Sequence, residues 1–324
     1  MLATRTIETS TETAFDMKGS RILVVINPAS GNADASGVDP LLDLLEHRLS
    51  ERGIRIQIIP FGPQGLAERL HNRLDEDVRA IYVAGGDGTL LSVVEALGPC
   101  SIPLGILPRG TMNWMAKDLG IPLDMDAAIQ TLLEARVQTL DLGQVNDQPF
   151  LCACMIGVGT LVGRERERER YTAPWSRWPK LLWRGLKLLR IYPHRRMRLV
   201  TEKDSERLHS HTVVVTNNLL DSAFGTLLQR THLDAGVLGI YAVRKATFRE
   251  LTRLFTRLML GNWQADDAVL TTAATEASLS ISGRGTISVM LDGEIRRLKT
   301  PLRFRIEPRR VAMLVPRPDP SARG

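Results

Sequence analysis

The sequence predicts two domains: an α/β domain built on a parallel sheet, followed by a β-rich domain of sandwich type. Two observations carry this. From Arg21 to about Arg136, short apolar runs alternate with segments of helical period; from about Asp141, strand-like runs follow one another with one helical interruption. A third observation adds a site. Three loops rich in Gly, Asn, Ser and Thr fall at the ends of predicted strands in the first half, where parallel sheets bind their ligands.

In order, RILVVIN (21–27) reads as a buried strand. VDPLLDLLEHRLSERG reads as an amphipathic helix with Leu41, Leu45 and Leu49 on one stripe. IRIQIIP (54–60), RAIYVAG (79–85) and PLGILP (103–108) are further strands. PQGLAERLHNRL, TLLSVVEALG, MNWMAKDLG and DMDAAIQTLLEAR are the helices between and after them. In the second half QPFLCACMI, MRLVTE, HSHTVVVTNN, VLGIYAV, AVLTT, ASLSISG, TISVML and PLRFRI read as strands, and TFRELTRLFTRLML as the lone helix. RRVAMLVP is a continuous apolar strand that can return to the first domain. The expected boundaries are a polar, unstructured leader over 1–20, the α/β domain over 21–140 joined by a returning strand at 310–316, the β domain over 141–309, and a tail over 317–324.

Composition fits a globular chain: 324 residues, 44% hydrophobic and 24% charged. No apolar run reaches the roughly 20 residues of a membrane helix, and the leader lacks the apolar core of a signal peptide. Three cysteines, Cys100, Cys152 and Cys154, fit a reducing cytosol, with C-x-C on a strand read as packing. His209 and His211, alternating on one strand, read as surface residues. The net charge of +6 is local: Arg164 to Arg198 carries twelve Lys/Arg against three Glu, so the rest of the chain is −3.

The loops carry the chemistry. In AGGDGTLL, Gly85 and Gly86 let backbone approach a ligand closely, and Thr89 is the expected N-cap of the next helix. Alone the loop reads as a glycine turn with an Asx cap. Its company favours a phosphate cradle: NPASG places Asn27, Ser30 and Gly31 at one strand end, and LPRGTMN places Gly110, Thr111 and Asn113 at another. Asp87 would repel bare phosphates, so it points to Mg²⁺ held between carboxylate and phosphate. LDGE (291–294) alone reads as an acidic hairpin turn.

The order NPASG, GGDGTL, LPRGTMNWMAKDLGIP, DLGQVN and LDGE resembles the diacylglycerol kinase catalytic domain, whose family includes sphingosine, ceramide and bacterial lipid kinases. The resemblance runs from about Arg21 to Val315. GGDGT by itself is shared with NAD kinases and 6-phosphofructokinases. The resemblance implies an NAD kinase/diacylglycerol kinase-like α/β domain and a lipid-binding β-sandwich, with ATP and Mg²⁺ as cofactors and a lipid alcohol as acceptor, diacylglycerol first and a sphingoid base or another lipid alcohol as the alternative. Carried onto this chain, Gly85, Gly86, Asp87, Gly88, Thr89, Leu90, Leu91 and Thr111 would bind ATP phosphates, and Asn27 and Asn113 would line the nucleotide site. Glu294 would take the proton of the lipid hydroxyl, and Asp87 would hold Mg²⁺ and share the base role. Three positions depart from the pattern. Trp114 follows Asn113, Pro60 stands where many relatives have Thr, and THLDAGVL has Ala235 where the relatives' second Asp holds a structural Mg²⁺, leaving Asp234 alone. An NAD kinase-like enzyme and a catalytically silent membrane- or partner-binding protein are the competing readings.

WSRWPKLLWRGLKLLR (175–190) places Trp178, Leu181, Leu182, Leu186 and Leu189 on one helical arc and Arg177, Lys180, Arg184, Lys187 and Arg190 opposite. Such a face suits an anionic membrane surface, and equally a helix packed on the β domain. Nucleic acid is disfavoured, because the basic residues do not interleave with the aromatics. RERERER (164–170) reads as a solvated charged face. The expected location is cytoplasmic, peripheral to the inner membrane surface, and a homodimer is left open.

Overall fold

A computed structural model describes residues 15–30, 40–62, 64–157, 194–221, 229–244, 248–260 and 263–318. Gly31, RERERER and the basic segment 175–190 lie outside these described residues. The chain divides into two compact units, residues 1–140 with 309–324, and residues 141–308.

In the first unit, β1 (Arg21–Ile26) pairs in parallel with β2 (Arg55–Pro60) and β3 (Val78–Gly85), and β3 with β4 (Leu104–Pro108). Ile22, Leu23, Val24 and Val25 are all fully buried, as a parallel strand covered on both faces requires. The helices are α1 (Pro40–Ser50), α2 (Leu66–His71), α3 (Asp87–Leu97), α4 (Trp114–Asp118) and α5 (Met125–Leu133). On α1 the buried residues are Leu41, Leu45 and Leu49, the expected stripe. Burying each stabilises by about 1.5–3 kcal/mol. α5 starts where Asp124 accepts a hydrogen bond from the Ala127 amide, 2.9 Å, and buries Ala128, Ile129, Leu132 and Leu133.

Two readings change here. Phe15 to Ser20 is no free leader: Met17 is buried, its sulfur accepts from the Tyr82 hydroxyl at 3.6 Å, and the Phe15 amide donates to Ala135 O. Residues 136–140, read as the end of a helix and a connection, open a long strand, β5 (Arg136–Val145).

In the second unit the ladder pairings within 141–308 are antiparallel. After β5 come β6 (Gln148–Phe150), β7 (Ala153–Gly157), β8 (Arg195–Thr201), β9 (Ser205–Asn217) and β10 (Leu238–Arg244). Then follow α6 (Phe248–Leu260), β11 (Val269–Ala274), β12 (Glu276–Ile281), β13 (Thr286–Leu291), β14 (Glu294–Lys299) and β15 (Leu302–Val315). β9 bonds to β7, β8 and β10 and is the spine of the unit. Phe150, Val215, Ile240, Leu279, Val289 and Phe304 belong to one apolar core. PLRFRI and RRVAMLVP prove to be a single strand, β15, whose Met313 lies parallel beside Leu104 in the first unit's sheet.

His209 is exposed but His211 is buried at 2% exposure, its ring centroid 3.6 Å from that of His194 with the two planes tilted by 40°. The reading of both as surface residues fails at a bulge. Against β10, Thr212 pairs with Val243 and Ser210 with Arg244, so His211 is the extra residue and the in-out alternation slips.

Candidate active site

The first unit brings three of the predicted loops together. Asn27 leaves β1 and spans to α3: its Nδ2 donates to Thr89 Oγ1 at 2.8 Å, while its Oδ1 accepts the Ala29 amide at 3.0 Å. Ser30 closes the same turn, its hydroxyl donating to Asn27 O at 3.0 Å. The helix is capped three residues earlier than expected, with Gly86 in extended conformation as N-cap and Asp87 as the first helical residue. Thr89 is therefore not the cap; it sits in the first turn, 6% exposed, as the anchor for Asn27. Leu90 and Leu91 also change role. Their side chains are buried at 2% and 0% exposure, and the Leu90 amide donates to Gly86 O, so they hold the helix in the core.

The GGDGT and PRGTMN loops interlock through glycine. The Arg109 amide donates to Gly85 O at 3.0 Å. A methyl group at Gly110 would fall 2.5 Å from Gly86 Cα and 2.7 Å from Asn113 Oδ1. Asn113 adopts a left-handed conformation, φ 47°, and clamps its own loop: Oδ1 accepts from the Gly110 amide at 2.8 Å and Nδ2 donates to Gly110 O at 2.9 Å. Its side chain is thus committed to shaping the loop. Thr111 is exposed at the loop's tip. We expect Gly110→Ala to destabilise the protein by about 1–3 kcal/mol through this overpacking. Thermal unfolding beside Gly285→Ala checks it, since nothing lies within 4 Å of a methyl group at Gly285. Equal melting temperatures in the two variants would reject the interlock.

Asp87 binds the interlock from the other side. Oδ2 accepts the Trp114 amide at 3.0 Å and Oδ1 the Met115 amide at 2.9 Å, so its carboxylate caps α4. Val83, Gly85, Gly86, Asp87, Ile106 and Asn113 share a small pocket. Each carboxylate oxygen keeps a further lone pair. One carboxylate completed by phosphate and water is a usual Mg²⁺ donor set, so Asp87 fits that role. No three His, Cys, Asp or Glu side chains among the described residues converge as a metal cage.

In the second unit LDGE is a two-residue hairpin between β13 and β14. Asp292 (φ 46°) and Gly293 (φ 95°) both lie in the left-handed region, and Leu291 pairs with Glu294. Asp292 has a structural task that its sequence did not signal. Its Oδ1 accepts the Cys152 and Ala153 amides, each at 2.8 Å, and Oδ2 the Leu151 amide. These amides lie where QPFLCACMI, read as one strand, breaks into β6 and β7. Glu294 stays about half exposed at the start of β14, 3.4 Å from the Arg296 guanidinium. Cys152 and Cys154 are buried, and burial, with the Asp292 charge beside it, pushes the Cys154 thiol far above its ordinary range. Both cysteines are packing residues, as read.

Asp234 is exposed, and the neighbouring amides are already taken: Ala235 donates to Asn218 Oδ1 at 3.0 Å and Gly236 to Asp141 Oδ2 at 2.7 Å. Ala235 has no side-chain oxygen to offer, so Asp234 is the one carboxylate left of the pair that would hold a structural Mg²⁺. The buried cation of this region is Arg230, 1% exposed, which the sequence reading passed over in LQRTHLD. A lone Arg in a polar stretch carries no signal of burial.

Residues 21–145 match the diacylglycerol kinase catalytic domain model, and residues 154–315 match the YegS C-terminal NAD kinase beta sandwich-like domain model. A protein named diacylglycerol kinase from Bacillus subtilis is 30% identical over 224 residues, 66% of this chain and 70% of that protein. One of the same name from Mycobacterium tuberculosis is 27% identical over 283 residues, covering 85% and 88%. A crystal structure described as a diacylglycerol kinase from Bacillus anthracis superposes with a TM-score of 0.66 at 19% identity, over 93% of this chain and 98% of that one, a likeness of fold. Both halves of the chain are thereby accounted for, an α/β catalytic domain followed by a β-sandwich, and the chain belongs to the diacylglycerol kinase family of lipid kinases.

Proposed function

We propose that the protein transfers the γ-phosphoryl group of ATP to the hydroxyl of diacylglycerol. The observation that carries this is the Gly86–Gly110 interlock with Asp87 at its edge, in a chain whose relatives are named diacylglycerol kinase. The start of α3 offers the positive end of a helix and first-turn amides that have no partner within the helix, a favourable surround for phosphate oxygens. The missing side chains of Gly85 and Gly86 make room for the cradle's own packing, since a methyl group would fall 2.6 Å from Thr89 Cβ at Gly85 and 3.1 Å from Gly110 Cα at Gly86. Mg²⁺, held at Asp87 with the phosphates, would neutralise charge on the transferring group. An alcohol is scarcely ionised at neutral pH, so a base must take its proton as the new O–P bond forms and the bond to ADP breaks. Glu294, a carboxyl group about half exposed beside the two-residue turn, suits that task.

Labelled ATP, Mg²⁺ and a panel of diacylglycerol, sphingoid bases and NAD test the reading. Label extracted with diacylglycerol is the expected result. Label on a sphingoid base moves the acceptor, and label on NAD or nowhere overturns the reading.

We also assign residues 175–190 to an anionic membrane surface, which places the enzyme peripherally on the cytoplasmic face. By the helical period of the sequence, five Lys/Arg share one arc and would contribute about 1 kcal/mol each at such a surface, and Trp175, Trp178 and Trp183 suit its interface. No helix among the described residues is long and apolar enough to cross a membrane. In flotation assays, vesicles with anionic lipid should retain the protein and neutral vesicles should not. Charge reversal at Arg177, Lys180 and Arg184 should abolish the difference, and equal binding to both vesicle types before mutation would remove the assignment.

A further inference from the structure

We infer that Arg230 is a positioning residue for the Asp292–Glu294 turn, acting through two peptide groups. Its Nη1 donates to Leu151 O at 2.8 Å, to Asn217 O at 2.7 Å and, at a longer 3.4 Å, to Cys152 O. Opposite, the Cys152 and Ala153 amides donate to Asp292 Oδ1, each at 2.8 Å. The peptide joining Leu151 to Cys152 therefore has its oxygen on a guanidinium and its N–H on a carboxylate. The peptide joining Cys152 to Ala153 has the same arrangement. Two consecutive peptide dipoles lie in line between a cation and an anion, and each bond in such a chain polarises the next.

The burial makes this consequential. An isolated guanidinium with 1% exposure is strongly unfavourable, and here carbonyl oxygens and a relayed carboxylate offset that cost. Asn217, itself 1% exposed, steadies the same carbonyls. Its Nδ2 donates to Leu151 O at 3.1 Å and its backbone amide to Cys152 O at 3.0 Å. Remove the guanidinium and the carbonyls of 151–152 keep only the Asn217 donors, which leaves their peptides freer to rotate and loosens the geometry of the three amide donors of Asp292. Asp292 opens the two-residue turn that ends at Glu294, so the loss reaches that carboxylate directly. The role in turnover rests on Glu294 being the base, whereas the mechanical link does not.

The full-length protein with Arg230→Met and Arg230→Lys tests both parts. For Arg230→Met we expect turnover with lipid to fall about 10²-fold, the effect of misplacing a reacting group by about 1 Å. Nucleotide affinity should stay within about twofold, because only an interaction of the transition state is lost. Hydrogen exchange should accelerate at Leu151–Ala153 and in the 291–294 turn, with the β8–β12 ladder unchanged. Arg230→Lys, which keeps a cation within reach of the carbonyls, should fold and recover most of the protection and turnover. Turnover of folded Arg230→Met within about threefold of the parent, while Glu294→Gln is inactive, overturns the inference. So does exchange that rises equally throughout the unit, or that fails to rise in the turn. If Arg230→Met does not fold, Arg230→Lys decides: a turn unprotected in that variant overturns the inference. A parent protein without kinase activity defeats the functional reading alone, and the exchange pattern still judges the link.

Discussion

Glu294→Gln should fold as the parent does, bind nucleotide as the parent does, and phosphorylate lipid about 10²–10⁴-fold more slowly, the range of general-base assistance. Gln has the size and shape of Glu but cannot accept a proton at neutral pH. The structural cost is small. Glu294 is about half exposed, its ion pair with Arg296 is long at 3.4 Å, and exposed pairs of this kind contribute at most about 1 kcal/mol. The backbone ladder from Leu291 to Glu294 and the Asp292 contacts to the 151–153 amides do not involve the altered carboxyl. A melting curve and a nucleotide titration that match the parent, beside lost turnover, isolate the proton acceptor. Turnover close to the parent's would take Glu294 out of the chemistry and leave only the hairpin.

The neighbouring aspartate shows why a motif's residues should not be treated as one unit. Asp292 and Glu294 are two positions apart, yet Asp292 is spent on backbone amides some 140 residues earlier in sequence, |i−j| of 139 to 141. Nothing local distinguishes that carboxylate from the next one. Much else was legible because the signal was local. The alternation of apolar strands and striped helices located β1 to β4 and α1 to α5, and Leu41, Leu45 and Leu49 were placed on the buried face correctly. The failures all have long-range or backbone causes. A bulge against β10 turned His211 inward, and the start of β5 was read as the end of a helix. Thr89 was mistaken for a cap because Gly86, which has no capping side chain, begins the helix. Leu90 and Leu91 belong to the motif as letters but to the core as side chains. Arg230 became visible only when the carbonyls of Leu151, Cys152 and Asn217 were seen to converge on it.

Asp87→Asn should produce two effects that can be measured apart. Both oxygens of Asp87 accept amides, from Trp114 at 3.0 Å and Met115 at 2.9 Å. Asn offers one acceptor and one NH₂, so one amide at the start of α4 would face a donor. A buried donor left unsatisfied costs about 1–3 kcal/mol, so the melting temperature should fall, which the motif alone did not lead us to expect. The second effect is chemical. If Asp87 also helps hold Mg²⁺ on the nucleotide, the variant should need about 10–100-fold more Mg²⁺ for half-maximal rate, as loss of a supporting group at a metal site does. Turnover at ordinary Mg²⁺ should then be nearly abolished. Capping alone gives a different pattern, with a lower melting temperature, an unchanged Mg²⁺ midpoint and a rate that returns on cooling. That pattern would assign Asp87 to the architecture of the loops and leave the metal to the phosphates. The expected pattern makes one carboxylate serve both ends: the amides that order the GTMN loop hold it in place, and its remaining lone pairs face the cation.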